Sequence, residues 1–326
     1  MIKKKKIAVV TGGNSGEYEI SLKSADNIAH QLDKQLYEVY VILLKGSNWT
    51  YKDSQNVVYQ IDKNDFSLHI QGDKIHFDAV FIAIHGNPGE DGKLQGYFEM
   101  LSIPYTGCDV LVSALTFNKN YCNRIVASYG IPIAPSVHLF KTSQYSENQI
   151  LNITSLPCFV KPANSGSSVG MSKVKTESEL QVAIKKAFQF DNQVLIEKFI
   201  QGREITCGIV KIKNQIKVLG ITEIVSKNEF FDFEAKYNPA LAEEITPAQI
   251  PDKVATLCAD YSTKIYENLG CKGIVRIDYI FNEQNLYFIE INTIPGQTNE
   301  SIIPKQLAFN NISFSDLCTE LIENIF

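Results

Sequence analysis

The sequence predicts an α/β protein whose later parts become α+β. Three observations carry this. Short apolar strands alternate with amphipathic runs through the first third of the chain. The last third is rich in strands and ends in a hairpin pattern. The chain has 326 residues and is 44% hydrophobic. That suffices for packed cores and, at roughly 100–200 residues per domain, for two or three domains.

Ile7–Val10 reads as a buried strand ending in Thr11-Gly12-Gly13, and Ile20–Leu32 as the amphipathic helix after it. Val39–Leu44 and Ala79–Ile84 read as further buried strands. Such alternation implies a parallel sheet under helices, with a site formed by loops at strand C-terminal ends. The loops there run from Gly12 to Glu19 and from His85 to Gly92. No G-x-G-x-x-G occurs, so dinucleotide binding has little support.

A second region starts near Asn118 with a helix over about Lys119–Tyr129, which Pro132 and Pro135 bring to an end. Cys158–Pro162 reads as a strand, Ala163–Gly170 as a Gly/Ser loop and Val169–Val174 as extended chain. Glu177–Phe190 is helical and Val194–Ile200 a strand. In the third region Glu204–Lys211 and Lys217–Val225 pair antiparallel. Ser226–Pro247 is long, polar and aromatic, and a loop of that length inside a compact domain is usually functional. Helix Pro251–Leu269, hairpin Gly273–Ile294 and a helix after Ser315 complete the chain.

Lys plus Arg number 31 against 36 Asp plus Glu, a net charge of −5. That balance argues against a nucleic-acid binder, which needs a basic face. Arg124, Arg203 and Arg276 are the only arginines, and Lys cannot replace Arg where a planar fork is required. The lysines at the start precede only four apolar residues, too few for a signal peptide, and no run is long enough for a membrane helix. The seven cysteines are widely spaced with no C-x-x-C pair. Reduced, buried thiols in a cytoplasmic protein fit that pattern, while a zinc site or disulfide framework does not.

The hairpin is the most informative stretch. Arg276 and Asp278 lie two apart, as do Glu290 and Asn292, so each pair shares a strand face. A turn near Asn282–Asn285 sets Asp278 opposite Glu290. Facing carboxylates need neutralising, and an oxygen-only cluster suits Mg²⁺ carrying phosphates. The alternation equally fits a solvated face on which Arg276 pairs the acids. Asn164–Gly170 offers backbone N–H groups and hydroxyls for phosphates, or is an ordinary hairpin connection. Lys161, at a strand end, is a point charge for phosphate or a surface lysine. His85, at the end of a strand and before Glu90 and Asp91, is a site residue or a structural one.

Together these pieces resemble the D-alanine–D-alanine ligase family. The carriers are His85-Gly86-Asn87-Pro88-Gly89-Glu90-Asp91-Gly92-Lys93-Leu94-Gln95-Gly96, Lys161-Pro162 with Gly166–Met171, Glu197-Lys198, Glu234-Ala235-Lys236-Tyr237, and Gly273–Asp278 with Glu290–Gly296. The resemblance spans about Ile7 to Leu307. It implies an ATP-grasp fold of three domains: an N-terminal α/β domain over 1–117, a central subdomain over 118–200 and a C-terminal subdomain over 201–326. The last two clamp ATP. It implies that Lys119, Lys161, Glu197, Lys198 and Ile200 bind ATP, with Glu204 on the ribose and Lys236 near the γ-phosphate. Asp278, Glu290 and Asn292 would hold two Mg²⁺ or Mn²⁺. Glu19 and His85 would bind the first D-alanine, and Ser301 with Ile302 the second. Ser167, Tyr237 and Glu19 would form a link that closes a lid, and Arg276 with the Gly296 N–H would hold the oxyanion.

The implied activity is ATP-dependent joining of two D-alanines through an acyl phosphate for peptidoglycan synthesis, by a cytoplasmic homodimer. The alternative is a ligase that joins D-alanine to D-lactate or D-serine. Tyr237 in the lid resembles the form that makes D-alanyl-D-alanine. Ile200 and Ile302 stand where leucines are usual, Gln297 replaces a frequent Met, and Tyr279 replaces an aliphatic beside Asp278.

Overall fold

The structure is a computed structural model and describes residues 3–226 and 242–326. Three sheets follow one another along the chain. The first comprises β1 (Lys5–Gly12), β2 (Tyr37–Lys45), β3 (Asn48–Lys52), β4 (Val58–Asp62), β5 (Ser67–Ile70), β6 (Asp73–Ile75) and β7 (Ala79–Ile82), in the order β6-β5-β4-β3-β2-β1-β7. β1 lies parallel to β2 and β7, and α1 (Tyr18–Gln31) makes the first crossover. Ile7 and Val9 enter one core and Ala8 and Val10 another, which is why β1 reads as a continuous apolar run.

The remaining strands of this sheet pair antiparallel, so a meander extends the expected parallel part. Gly46-Ser47 alone join β2 to β3, with Gly46 at φ 56°, and so short a turn allows no parallel crossover. α2 (Lys93–Met100) covers this sheet with Leu94 and Phe98.

The second sheet is antiparallel, β10-β9-β11-β8, from β8 (Ser136–Phe140), β9 (Cys158–Pro162), β10 (Ser172–Val174) and β11 (Gln193–Lys198). α5 (Glu147–Thr154) and α6 (Glu177–Ala187) pack on it through Ile150, Leu180 and Ile184. α6 begins where expected because Thr176 and Glu179 form a capping box. The extended chain predicted from Val169 begins only at Ser172. Ser167 and Ser168 adopt left-handed φ of 49° and 58° and turn the chain first.

The third sheet is β14-β13-β12-β15-β16, from β12 (Arg203–Ile212), β13 (Gln215–Ser226), β14 (Ala242–Ile245), β15 (Ile274–Phe281) and β16 (Leu286–Asn292). β14 pairs with β13, so the long predicted loop contains a strand. α7 (Asp252–Leu269) covers one face, where Ile205, Cys207, Ile209, Val275 and Ile277 meet Cys258, Ile265 and Tyr266. α3 (Val110–Phe117) and α4 (Lys119–Ser128) join that core through Val112, Cys122 and Val126.

α8 (Ile302–Phe309) and α9 (Phe314–Glu323) pack elsewhere. Ile303, Leu307, Leu317 and Leu321 share a core with Val210, Leu219, Ile7 and Ile28. The C-terminal helices thus tie the third sheet to the first. All seven cysteines are buried and free of disulfides. Among the described residues no helix is long and apolar enough to cross a membrane.

Candidate active site

Strand register builds the centre of the site. Across the third sheet, Thr222, Thr206, Asp278 and Glu290 form one rank, and Gly220, Gly208, Arg276 and Asn292 the next. Alternation sends these side chains to the face opposite α7. A register shift between Asp278 and Tyr279 leaves both ranks intact. The opposition of Asp278 and Glu290 anticipated from the hairpin is therefore present.

Each acid meets a cation. Arg276 donates from Nε to Oδ1 of Asp278 at 2.9 Å and from Nη2 to Oδ2 at 2.8 Å. Thr206 Oγ1 adds a 2.5 Å bond to Oδ1, and Asn292 Nδ2 a 3.0 Å bond to Oδ2. Glu290 Oε2 lies 3.4 Å from Lys119 Nζ, and Lys119 also donates to the Ser165 carbonyl at 2.5 Å. Burial alone would discharge Arg276, but Asp278, Glu290 and Glu90 raise its pKa above its already high range. It is a permanent cation here.

Asp278, Glu290 and Asn292 present oxygen only, the donor type of a hard divalent cation. Asn292 directs its NH₂ at Asp278, leaving its carbonyl oxygen for another partner. Among the described residues no three His, Cys, Asp or Glu side chains are grouped to hold a metal. Glu290 and the Asn292 carbonyl offer oxygens that fit a cation completing its shell with water and phosphate oxygens, while Asp278, whose oxygens accept from Arg276, Thr206 and Asn292, joins them by giving up one of those bonds.

These residues open into a cavity of about 570 Å³ whose lining includes Glu17, His85, Lys119, Ser167, Glu204 and Ser301. At one wall the Gly/Ser loop meets the first sheet, where Ser167 Oγ donates to Glu17 Oε1 at 2.8 Å. This corrects the expected link, which named Glu19. Glu17 precedes α1 and faces the cavity, whereas Glu19 lies in its first turn, exposed and outside the lining. The loop-to-helix transition decides this, because two residues at a helix start point in different directions. Gly166 permits the approach, since a Cβ there would sit 2.7 Å from Glu17 Oε2.

His85 is buried in the loop just after β7. Its Nδ1 lies 2.7 Å from the Ile294 carbonyl and its Nε2 2.9 Å from Ser24 Oγ. A carbonyl only accepts, so Nδ1 carries the proton and Nε2 accepts from Ser24. Burial lowers the pKa of His85 and keeps it neutral. Both nitrogens thus tie α1 and β7 to the loop after β16. Glu90 accepts from Gly86 N at 2.7 Å and from Ile294 N at 3.2 Å. Burial, reinforced by the Glu17 carboxylate, pushes its carboxyl up to about 7.

Ser301 holds the N-cap position of α8 without a side-chain cap bond and shares its hydroxyl with Thr298 Oγ1 at 2.8 Å. Gly296 packs so closely that a Cβ there would stand 2.7 Å from Ser301 Oγ. Gly296, Ser301 and Ile302 line the cavity beside Arg276.

Lys161, Glu197, Lys198 and Ile200 do not line this cavity. Lys161 and Glu197 form an ion pair between β9 and β11, and Asn123 Nδ2 donates to Glu197 Oε1 at 2.7 Å. Lys198 is an exposed strand end, and Ile200 follows it half-buried. Glu234, Lys236 and Tyr237 lie outside the described residues.

The family model described as D-ala D-ala ligase N-terminus matches residues 6–108, and that described as D-ala D-ala ligase C-terminus matches residues 125–323. The chain belongs to the D-alanine–D-alanine ligase family. It is 45% identical over 324 residues to the D-alanine–D-alanine ligase of Phocaeicola vulgatus, covering 99% of this chain and 100% of that protein. Solved ligase structures have the same fold. D-alanyl-alanine synthetase A from Vibrio cholerae matches with TM-score 0.90 and 30% identity, over 100% of this chain and 99% of that one. The VanG D-Ala:D-Ser ligase from Enterococcus faecalis matches with TM-score 0.87 and 32% identity, over 99% and 100%. The Bacillus anthracis D-alanine–D-alanine ligase complexed with ATP matches with TM-score 0.79 and 29% identity, over 98% and 96%. The fold is therefore the ATP-grasp fold of this ligase family.

Sequence reasoning missed Glu17, Thr206 and Asn123. Glu17 was legible as the first acid after Gly12-Gly13-Asn14-Ser15-Gly16. Thr206 and Asn123 carry no local signal, because their partners Asp278 and Glu197 lie 72 and 74 residues away.

Proposed function

We propose that the protein joins two D-alanine molecules, using ATP, into D-alanyl-D-alanine for peptidoglycan precursors. One observation carries this reading: Glu17–Ser167, Arg276 with its acids, and Gly296–Ser301 converge on a single cavity. The order of these groups matches the order of the chemistry. Glu17 offers a carboxylate to the ammonium of the first D-alanine. Lys119, Lys161 and Lys198 supply cations for ATP, with Glu204 at the ribose and Lys236 at the γ-phosphate. Glu197 and Ile200 border the nucleotide.

The first D-alanine carboxylate attacks the γ-phosphorus, giving ADP and an acyl phosphate, since a carboxylate oxygen is otherwise a poor leaving group. The second D-alanine gives its ammonium proton to solvent, and its neutral amine attacks the acyl carbon, its second proton leaving with the phosphate. The tetrahedral intermediate then expels phosphate and leaves the amide. Arg276 and the Gly296 N–H stabilise the oxyanion, worth about 3–4 kcal/mol per donor in comparable sites. The N-terminus of α8, at Ser301 and Ile302, suits the carboxylate of the second D-alanine. Asp278, Glu290 and Asn292 would hold two Mg²⁺ or Mn²⁺, whose chemistry when bound is to neutralise phosphate charge. Ser167, Glu17 and Tyr237 keep water from the acyl phosphate. The protein works as a cytoplasmic homodimer.

The test supplies purified protein with ATP, Mg²⁺ and D-alanine and follows ADP and dipeptide together. ADP-coupled D-alanyl-D-alanine is expected. No dipeptide, with turnover on mixtures containing D-lactate or D-serine, would overturn the substrate assignment.

A further inference from the structure

The glycine half of the second rank has a purpose of its own. Gly208 and Gly220 are cross-strand partners on the face that α8 covers, and they leave a trough without side chains. Gln306 of α8 fills it. A Cβ on Gly208 would stand 2.1 Å from Gln306 Oε1, and one on Gly220 would stand 3.0 Å from Gln306 Cβ and Cγ. Gln306 is fully buried. Its Nε2 donates to Thr222 Oγ1 at 3.0 Å and to the Thr206 carbonyl at 3.3 Å. Its Oε1 has no hydrogen-bond partner among the described residues.

A buried amide with an orphan oxygen costs about 1–3 kcal/mol, so an apolar residue would serve stability better. Location accounts for its presence. Thr206, which receives Gln306 through its carbonyl, donates through its hydroxyl to Asp278, and Asp278 holds Arg276. Gln306 sits on the same helix as Ser301 and Ile302, five residues after the cap. Asn310, one turn further, anchors α8 to the Leu219 carbonyl at 2.6 Å. One buried side chain thus connects the helix that begins at the acceptor end with β12 and β13, and through Thr206 with the Asp278–Arg276 pair on β15.

Resting on the ligase reading above, we propose that Gln306 is a positioning residue for the acceptor. It fixes the α8 N-terminus relative to Arg276, so that the second D-alanine meets the acyl phosphate in register. Asn310 and the Lys305–Glu244 pair hold other points of α8 to the sheet, but Gln306 is its polar tie to Thr206, and a misplacement of about 1 Å can cost on the order of a hundredfold in rate.

The experiment compares two reactions in the same preparations. Dipeptide formation uses the acceptor site, whereas trapping of the acyl phosphate by hydroxylamine, read as D-alanine hydroxamate, does not need an acceptor carboxylate. Gln306→Met keeps the length of the side chain and removes the donor. It should lower dipeptide kcat/KM for D-alanine at least about tenfold while hydroxamate formation stays within about twofold. Equal losses in both reactions, or none in either, would overturn the proposal. Should Gln306→Met not fold, Thr222→Val removes one acceptor instead. It should lower dipeptide formation about threefold with hydroxamate formation unchanged, and no selective loss would again be fatal. A wild-type protein that forms neither product overturns the ligase reading itself, which sets that failure apart from a failure of the Gln306 proposal.

Discussion

Arg276 grips both carboxylate oxygens of Asp278, its neighbour two residues along β15, at 2.9 and 2.8 Å. The solvated-face reading of the hairpin also pairs these two residues, so the pair by itself does not define a site. What distinguishes the site is the burial of Asp278 and half-burial of Arg276, the facing Glu290, and a cavity in front of them. A two-donor fork keeps the guanidinium in one orientation, which a developing oxyanion requires.

Arg276→Lys is therefore expected to lower turnover by about 10²–10³-fold. ATP affinity, measured by calorimetry, should change little, because the lysines proposed to face nucleotide are untouched. Near-normal turnover would remove Arg276 from the oxyanion role.

Glu17 and Glu19 separate cleanly by mutation. Glu17→Gln should lower kcat/KM for D-alanine at least about tenfold, since it weakens both the Ser167 bond and the proposed ammonium site. Glu19→Gln, on an exposed position, should stay within about twofold. The reverse ranking would restore the original assignment to Glu19.

Glu90 gives a pH signature. Its carboxyl is pushed up to about 7 from an ordinary 4.5 by burial and by Glu17. Between those values the unfolded chain releases the proton while the folded chain keeps it. Folding stability thus falls as pH rises through this window, by roughly 3 kcal/mol in total. Glu90→Gln removes the effect apart from a constant offset for the altered hydrogen bonds. Urea midpoints for both proteins at several pH values check it, and parallel curves would refute it.

Tyr279 places its hydroxyl 2.9 Å from Ser262 Oγ in the core between β15 and α7. Tyr279→Phe should destabilise by about 1–2 kcal/mol in urea unfolding, with activity close to wild type. An unchanged midpoint would show that Ser262 finds another partner at no cost.

Local pattern made much of this protein legible. The β1–α1–β2 unit, the capped α6, the long α7 and the hairpin follow from periodicity and turn residues over a few positions. Arg276, Asp278, Glu290 and Asn292 were recognisable because strand alternation is strict and the turn between them is short. The meander β3–β6 and helices α2, α3, α5 and α8 were not recognised, since their apolar signals are short and mixed.

The sequence by itself determined which residues share a strand face and which loops end strands, because both depend on neighbours in the chain. Only the tertiary structure decided that Glu17, not Glu19, receives Ser167, a contact 150 residues apart. The same holds for the ranks that align Thr206 with Asp278 and Gly208 with Gly220, and for Gln306 in the glycine trough. Sheet register and helix docking are set by packing of distant segments, and no local propensity encodes a contact between residues so far apart in the chain.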